Sequence, residues 1–132
     1  METNLKFRSQ VCTTKIQSER LLALGLKKET ADMMYCKTTS GELITAKDDD
    51  YLEHLDFPAW SLSRLLSMMP SFIDIGGYEY MLRIIQGKVF SYRSNIVGDA
   101  LLYGCGSVYD SAIYTIEWLI GEGYFNKEYL EE

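Results

Sequence analysis

Residues 78–94 read YEYMLRIIQGKVFSYRS and form the clearest hairpin pattern in the chain. Two runs rich in Tyr, Ile, Val and Phe, residue types that suit a pleated sheet, flank a single glycine. The stretch predicts strands over Tyr78–Gln86 and Lys88–Ser94, joined by a tight turn. That turn is centred on Gln86-Gly87 or on Gly87-Lys88. The choice decides the register, because a shift of one residue moves every side chain to the other face of the sheet.

Three helices are predicted around this hairpin, and two of them begin with a capping box. In that motif the N-cap hydroxyl and the side chain three residues later satisfy the first backbone N–H groups of the helix. Thr14 and Gln17 have this spacing, and Ser107 has the same relation to Asp110. Gly25 stands where the left-handed residue of a Schellman motif would end the first helix. The helices are predicted over residues 15–24, from Ser61 to Pro70 and from Ser107 to Gly121.

The remaining strand candidates complete an α+β pattern. Met34–Thr38 and Glu42–Lys47 flank Thr39-Ser40-Gly41, which is turn chemistry, so they predict a second hairpin. Asp99–Tyr103 predicts either a further strand or a helical turn. The resulting order, α-β-β-α-β-β-α, favours a single domain over residues 1–132. We expect two layers, a mainly antiparallel sheet of paired hairpins with helices on one face.

The composition is that of an ordinary globular domain with an acidic balance. The chain has 132 residues, is 47% hydrophobic and carries a net charge of −6, which disfavours broad attraction to nucleic acid or anionic lipid. Residues 1–47 hold eight of the thirteen basic and five of the nineteen acidic side chains, a net charge of +3, so residues 48–132 carry −9. This asymmetry suits an acidic surface that meets a basic partner, a basic face that meets a polyanion, or two ordinary surface faces.

Cysteine usage and hydropathy predict a cytoplasmic protein without a membrane segment. Cys12, Cys36 and Cys105 are odd in number and widely spaced, which argues against the disulfide framework of a secreted domain. The first residues lack the apolar core of a signal peptide. No apolar run approaches the ~18 residues of a membrane span.

Several stretches are familiar as a set. They are QSERLLALGLKKETADMMY (residues 17–35), PAWSLSRLLSMMP (residues 58–70), the Tyr-rich hairpin, and AIYTIEWLIGEGYFNKEYL (residues 112–130). Together they resemble a loose group of small uncharacterised proteins from gut bacteria and their prophages or mobile elements. The resemblance covers most of the chain and carries no known activity, so it implies no catalytic residues. It implies an accessory protein of a mobile element.

An excess of aromatic residues gives the leading functional hypothesis, a noncatalytic module that binds another protein. The chain has ten tyrosines and two tryptophans, and both residue types are common in binding hot spots because they bury area at a low entropy cost. The same side chains also serve as the rim of a core. The predicted contacts are Tyr78, Tyr80 and Tyr92 on the hairpin, and Tyr114 and Trp118 on the last helix.

A DNA-binding regulator is the first alternative. Residues 14–34 place a glycine turn between two helical pieces, as in a helix-turn-helix, and Lys27 and Lys28 would contact phosphates. The second piece also carries Glu29 and Asp32, which phosphates repel, and it has no Arg, Asn or Gln to read base edges. Nucleic acid is therefore the less favoured partner.

A small thiol enzyme is the second alternative. Cys105 precedes the last helix, whose N-terminus would lower the pKa of a thiol, and His54 is the only histidine that could act as its base. The run Asp48-Asp49-Asp50 is weak evidence for calcium, because an EF-hand loop that began at Asp48 would need glycine where Glu53 stands. No spacing indicates a metal site, a nucleotide loop or a bound cofactor.

Overall fold

Three helices and two antiparallel sheets form the part of the chain that the computed structural model describes, residues 10–38, 41–46 and 57–132. The helices are α1 (Lys15–Ala23), α2 (Leu62–Ser67) and α3 (Val108–Glu122). The strands are β1 (Met33–Thr38), β2 (Gly41–Ala46), β3 (Phe57–Ala59), β4 (Phe72–Ile75), β5 (Tyr78–Ile85), β6 (Val89–Ser94) and β7 (Gly98–Tyr103). Short 3-10 turns cover Lys28–Thr30 and Lys127–Tyr129. The predicted α+β class is confirmed.

The seven strands divide into two sheets, where the sequence pattern predicted one. The first has the order β2-β1-β3 and the second the order β4-β5-β6-β7, and neighbours in each run antiparallel. The difference comes from β3 and β4, two short strands that flank α2 and extend one sheet each. Pro58 lies in β3, an edge strand, where a residue without an N–H is tolerated. The ambiguous segment Asp99–Tyr103 falls within β7.

The β5–β6 hairpin has a three-residue loop, Gln86-Gly87-Lys88, so its register differs from that of either two-residue turn that the sequence predicted. Gln86 and Gly87 form the central pair of a tight turn within this loop, in which the N–H of Lys88 donates to the carbonyl of Ile85 at 3.3 Å. Gln86 and Gly87 have positive φ angles, 54° and 76°, as the central pair of a tight hairpin turn requires. Leu82 consequently pairs with Tyr92, so these two side chains share one face of the sheet. Met81 therefore lies on the opposite face.

The Schellman motif predicted at the end of α1 is present. Gly25 has a φ of 104°, and its N–H donates to the carbonyl of Leu22 at 3.0 Å, while the N–H of Leu26 donates to the carbonyl of Leu21 at 3.2 Å. Leu21 and Leu26 are both buried, so the motif ends the helix and brings two leucines into the core. Both predicted capping boxes are also present.

The hydrophobic core lies between the helices and one face of the four-stranded sheet. α3 contributes a buried face made of Tyr109, Ala112, Ile113, Ile116 and Leu119. From the sheet come Ile73, Tyr80, Phe90, Tyr92 and Leu101, and from the first two helices Leu21 and Leu65. Because the helices cover this face, the side chains that alternate with it along β4 to β7 point away from the core.

Trp60 is the buried side chain that ties the segment between β3 and α2 to the rest of the fold. It is fully buried, and its indole Nε1–H donates to Thr30 Oγ1 at 2.9 Å. Its backbone N–H donates to Thr13 Oγ1 at 3.0 Å, and its carbonyl accepts from the N–H of Thr13 at 2.9 Å. Trp60 is thus hydrogen-bonded both to the segment before α1 and to the 3-10 turn that follows α1.

Gly104 lies just after β7, close to Val89 at the start of β6. A Cβ at Gly104 would lie 2.4 Å from Cγ2 of Val89 and 3.1 Å from its Cα, well inside normal carbon–carbon contact. We therefore expect Gly104→Ala to reduce the free energy of unfolding by about 1–3 kcal/mol, measured by urea denaturation. Adding Val89→Ala, which removes the nearest methyl group, should recover part of the loss. Equal stability of Gly104→Ala and wild type would contradict this close approach.

Candidate functional site on the open face of the four-stranded sheet

Two of the five predicted contact residues, Tyr80 and Tyr92, are core residues, and their assignment as partner contacts is corrected here. Tyr92 is fully buried, its hydroxyl donates to the carbonyl of Pro70 at 2.6 Å, and its ring stacks on Trp118 with centroids 5.9 Å apart. Tyr80 is also buried. The hairpin register turns both rings toward the helices, so neither is accessible to a partner.

Burial of Tyr92 predicts a loss of stability at alkaline pH. Burial raises the pKa of its phenol far above the ordinary value of 10.0, so above pH 10 the unfolded chain loses a proton that the folded chain retains. The contribution of Tyr92 to the free energy of unfolding is therefore fully present below pH 10. Above pH 10 it falls by about 1.4 kcal/mol for each pH unit. Tyr92→Phe should be less stable at neutral pH, since it loses the bond to Pro70, but should show a shallower alkaline decline in urea unfolding. Parallel declines would contradict this assignment.

The other three predicted contacts do not form one surface. Tyr114 stacks on Tyr103 with centroids 3.8 Å apart, so this pair lies on the helix side of the sheet. Trp118 is half-buried and packs against the core. Tyr78 is exposed at the start of β5. It lies on the same face of that strand as Tyr80 and is distant from α3 in the sequence. The aromatic set predicted from composition is thus divided between core, helix side and strand end.

The predicted helix-turn-helix over residues 14–34 is not formed. After α1 the chain makes the single 3-10 turn Lys28–Thr30 and then enters β1, the central strand of the first sheet. Lys27 is half-buried, and its backbone N–H donates to the carbonyl of Tyr129 at 2.9 Å. The C-terminal tail therefore pairs with the segment in which a recognition helix would begin, and Lys28 is exposed on a turn instead of a helix.

Cys105 is exposed in the loop before α3. Its predicted base, His54, and the acidic run Asp48-Asp49-Asp50 lie outside the described residues. At the start of α3 the carboxylate of Asp110 accepts a hydrogen bond from Gln17 Nε2 at 2.8 Å, and this bond, with others from the cap, lowers the pKa of Asp110. The helix N-terminus that would activate a thiol or bind an anion therefore already holds a carboxylate.

A cavity of about 320 Å³ lies between the C-terminal ends of α2 and α3. Its lining residues are Ser67, Met68, Met69, Pro70, Gly123, Tyr124, Phe125, Asn126 and Tyr129. None of these nine side chains is charged, and the hydroxyl of Ser67 donates to the carbonyl of Arg64 at 2.7 Å. The lining supplies no acid–base pair for catalysis, and we assign no reaction to it.

The face of β4 to β7 that points away from the core carries three exposed apolar side chains. Phe72 on β4 pairs with Met81 on β5, and Leu102 lies on β7, across the sheet; they are 51%, 45% and 58% exposed. Isolated exposed apolar residues are common on protein surfaces. Phe72 and Met81 are direct cross-strand neighbours, whereas Leu102 lies two strands from Met81 on the same face, in the row of Arg83 and Ser91. Exposed apolar surface of this kind is a candidate for protein binding. We call this surface the open face.

Charges on the open face are segregated along the strands. Asp74 and Glu79 are exposed and lie directly opposite each other, where β4 meets β5 near one end of the sheet. Arg83 is exposed four residues further along β5. Between these ends Arg93 forms an ion pair with Asp99, at 3.3 Å. The face thus has an acidic end, a basic end and an apolar centre.

Sequence reasoning missed Phe72, Met81 and Leu102 because it selected residue types instead of strand faces. One signal was available: in YEYMLRII, Met81 and Arg83 alternate with Tyr80 and Leu82. The three-residue loop Gln86-Gly87-Lys88 puts Met81 on the face opposite Tyr92, whereas either predicted two-residue turn would have put both on the same face.

Compared with known proteins, the chain matches no family model, and neither a curated protein nor a solved structure matches it. Within the described residues, none of the helices combines the length and the apolar character needed to cross a bilayer. The function is therefore argued from the geometry of the open face.

Proposed function

We propose that this chain is a cytoplasmic, noncatalytic protein-interaction module that binds its partner through the open face. The observation that carries the proposal is the adjacent pair Phe72 and Met81, together with Leu102 on the same side of the sheet; all three large apolar side chains are at least 45% exposed. The opposite side of the sheet is packed against the helices, so the backbone of the face is already ordered and loses little entropy when it is covered.

The charges define the chemistry of the partner. The acidic pair Asp74 and Glu79 requires a basic group on the partner, because like charges directly opposite in a sheet repel each other. Arg83 requires an acidic group about 14 Å further along the same strand, four residues at ~3.4 Å. The partner is therefore a protein surface with an apolar centre between one basic and one acidic group.

Nucleic acid fits this face less well. Three carboxylates, those of Asp74, Glu79 and Asp99, lie on or beside it, and phosphates would be repelled by them.

The proposal is tested by photo-cross-linking in native host cells. Benzoylphenylalanine placed at Leu102 should yield a covalent protein adduct on irradiation, because this position lies on the open face. Ile16 is the matched control, since it is an apolar residue on α1 that is 79% exposed but lies outside that face. Equal adducts from both positions, or an adduct from neither, would overturn the proposal, and cross-linked nucleic acid would replace the proposed protein partner.

A further inference from the structure

We infer that the partner of the open face is a second copy of this chain, packed face to face about a two-fold axis that crosses the strands at Met81. This inference rests on the proposed function and names its partner. The order of charges along β5 is complementary to itself under that rotation.

The proposed two-fold axis lies between the two packed sheets and runs perpendicular to their strands. Rotation about this axis reverses the direction of each strand. It leaves the position across the sheet unchanged, so β5 faces β5. Glu79 and Arg83 stand two residues before and two residues after Met81, each about 6.8 Å away at ~3.4 Å per residue. Rotation about Met81 therefore places Glu79 against Arg83 of the second copy, and Arg83 against Glu79.

The same rotation matches the apolar centre with itself. Met81 and its cross-strand neighbour Phe72 lie in the row through which the axis passes, so each meets its own counterpart, as an isologous interface requires. Arg93 lies in that row too, but it is already paired with Asp99. Arg93 and Asp99 also meet their own counterparts, and each is already neutralised by the other within its own copy.

Glu79 and Arg83, which would pair between copies, form no ion pair with another described residue. Among the described residues, the ion pairs are Lys15–Glu42, Arg20–Glu117 and Arg93–Asp99. Glu79 faces the like-charged Asp74 instead of a cation, and Arg83 faces Ser91 across the strands. A second copy supplies both missing countercharges at once.

The size of the face sets the strength of the association. Four strands at ~4.8 Å spacing and six residues at ~3.4 Å give a surface of roughly 19 by 20 Å for each copy. This is below the roughly 800 Å² that each partner buries in a standard interface. We expect a dimer that dissociates on dilution through the micromolar range.

Charge-reversal variants test the axis. Glu79→Arg puts two arginines against each other in the dimer, and Arg83→Glu puts two glutamates together, so each variant should associate at least tenfold more weakly than wild type in low salt. An equimolar mixture of the two variants should form a heterodimer, because both contacts then join an arginine to a glutamate. The double variant Glu79→Arg with Arg83→Glu should recover self-association. Sedimentation velocity over a concentration series measures all four.

Each outcome decides between the proposals. Both positions are exposed, and Glu79→Arg relieves the repulsion with Asp74, so the variants should fold like wild type, as thermal unfolding followed by circular dichroism will report. A wild-type chain that stays monomeric at every concentration, or a mixture that fails to pair, overturns the dimer. If an adduct with a different protein still forms at Leu102, the interaction module stands and only the identity of the partner changes. No adduct at Leu102 overturns both.

Discussion

Replacing Trp60 with alanine should lower the free energy of unfolding by about 3–5 kcal/mol, the range for a fully buried Trp or Phe. The indole fills the core and also donates to Thr30 Oγ1 at 2.9 Å, so the change removes packing and a buried hydrogen bond together. Domains of this size have a total stability of about 5–15 kcal/mol. Urea denaturation followed by circular dichroism should show a midpoint shifted strongly toward lower urea, with the chain near the limit of folding.

Trp60→Phe separates the two contributions. Phenylalanine keeps most of the buried area but cannot donate to Thr30, so we expect a smaller loss, on the order of 1–2 kcal/mol beyond the change in size. Thr30→Val removes the other side of the same bond and should cost less on the phenylalanine background than on wild type. If Trp60→Ala unfolds within about 1 kcal/mol of wild type, Trp60 does not connect these segments as described.

Replacing Met81 with glutamate should weaken self-association by roughly 100-fold, equivalent to about 2.8 kcal/mol. Met81 lies on the proposed axis, so one substitution changes the interface twice. Apolar burial is lost on both copies, and two carboxylates approach each other at the centre of the contact. Sedimentation equilibrium of the variant and of wild type measures the change in dissociation constant.

The variant should remain folded, because Met81 is 45% exposed and points away from the core. We expect its free energy of unfolding to stay within about 0.5 kcal/mol of the wild-type monomer. Met81→Leu keeps an apolar side chain and should preserve association, and Ile16→Glu introduces the same charge on α1 without effect. Association of Met81→Glu at wild-type strength would remove Met81 from the interface.

Local signals in the sequence predicted the helices well. The capping boxes at Thr14 and Ser107 and the Schellman glycine Gly25 are each decided by residues three or four positions apart, and all three are present. The two short strands were missed for the opposite reason. β3 pairs with β1 more than 20 residues away, and its Pro58 is a residue that strand propensity disfavours.

The candidate site was hidden because a face is a property of the whole sheet. Tyrosine content indicated binding residues by type, yet the register set by the three-residue loop after Ile85 turns Tyr80 and Tyr92 into the core and Met81 outward. Phe72 and Leu102 come together with Met81 only after β4 and β7 are placed on either side of the hairpin. Gly76-Gly77 before Tyr78 is a two-residue hairpin signal that places β4 beside β5, whereas the place of β7 follows only from its observed pairing with β6.

The most direct test of the open face as the contact surface is the oxidation rate of Met81 under dilute peroxide, read by mass spectrometry at low and high protein concentration. Met68 and Met69 are buried and serve as internal references within the same chain. The account predicts that Met81 oxidises much faster than both references when the protein is dilute, and that its rate falls toward theirs as the dimer forms. An oxidation rate of Met81 that stays fast at every concentration would contradict the account, because the centre of the proposed contact would then never be covered.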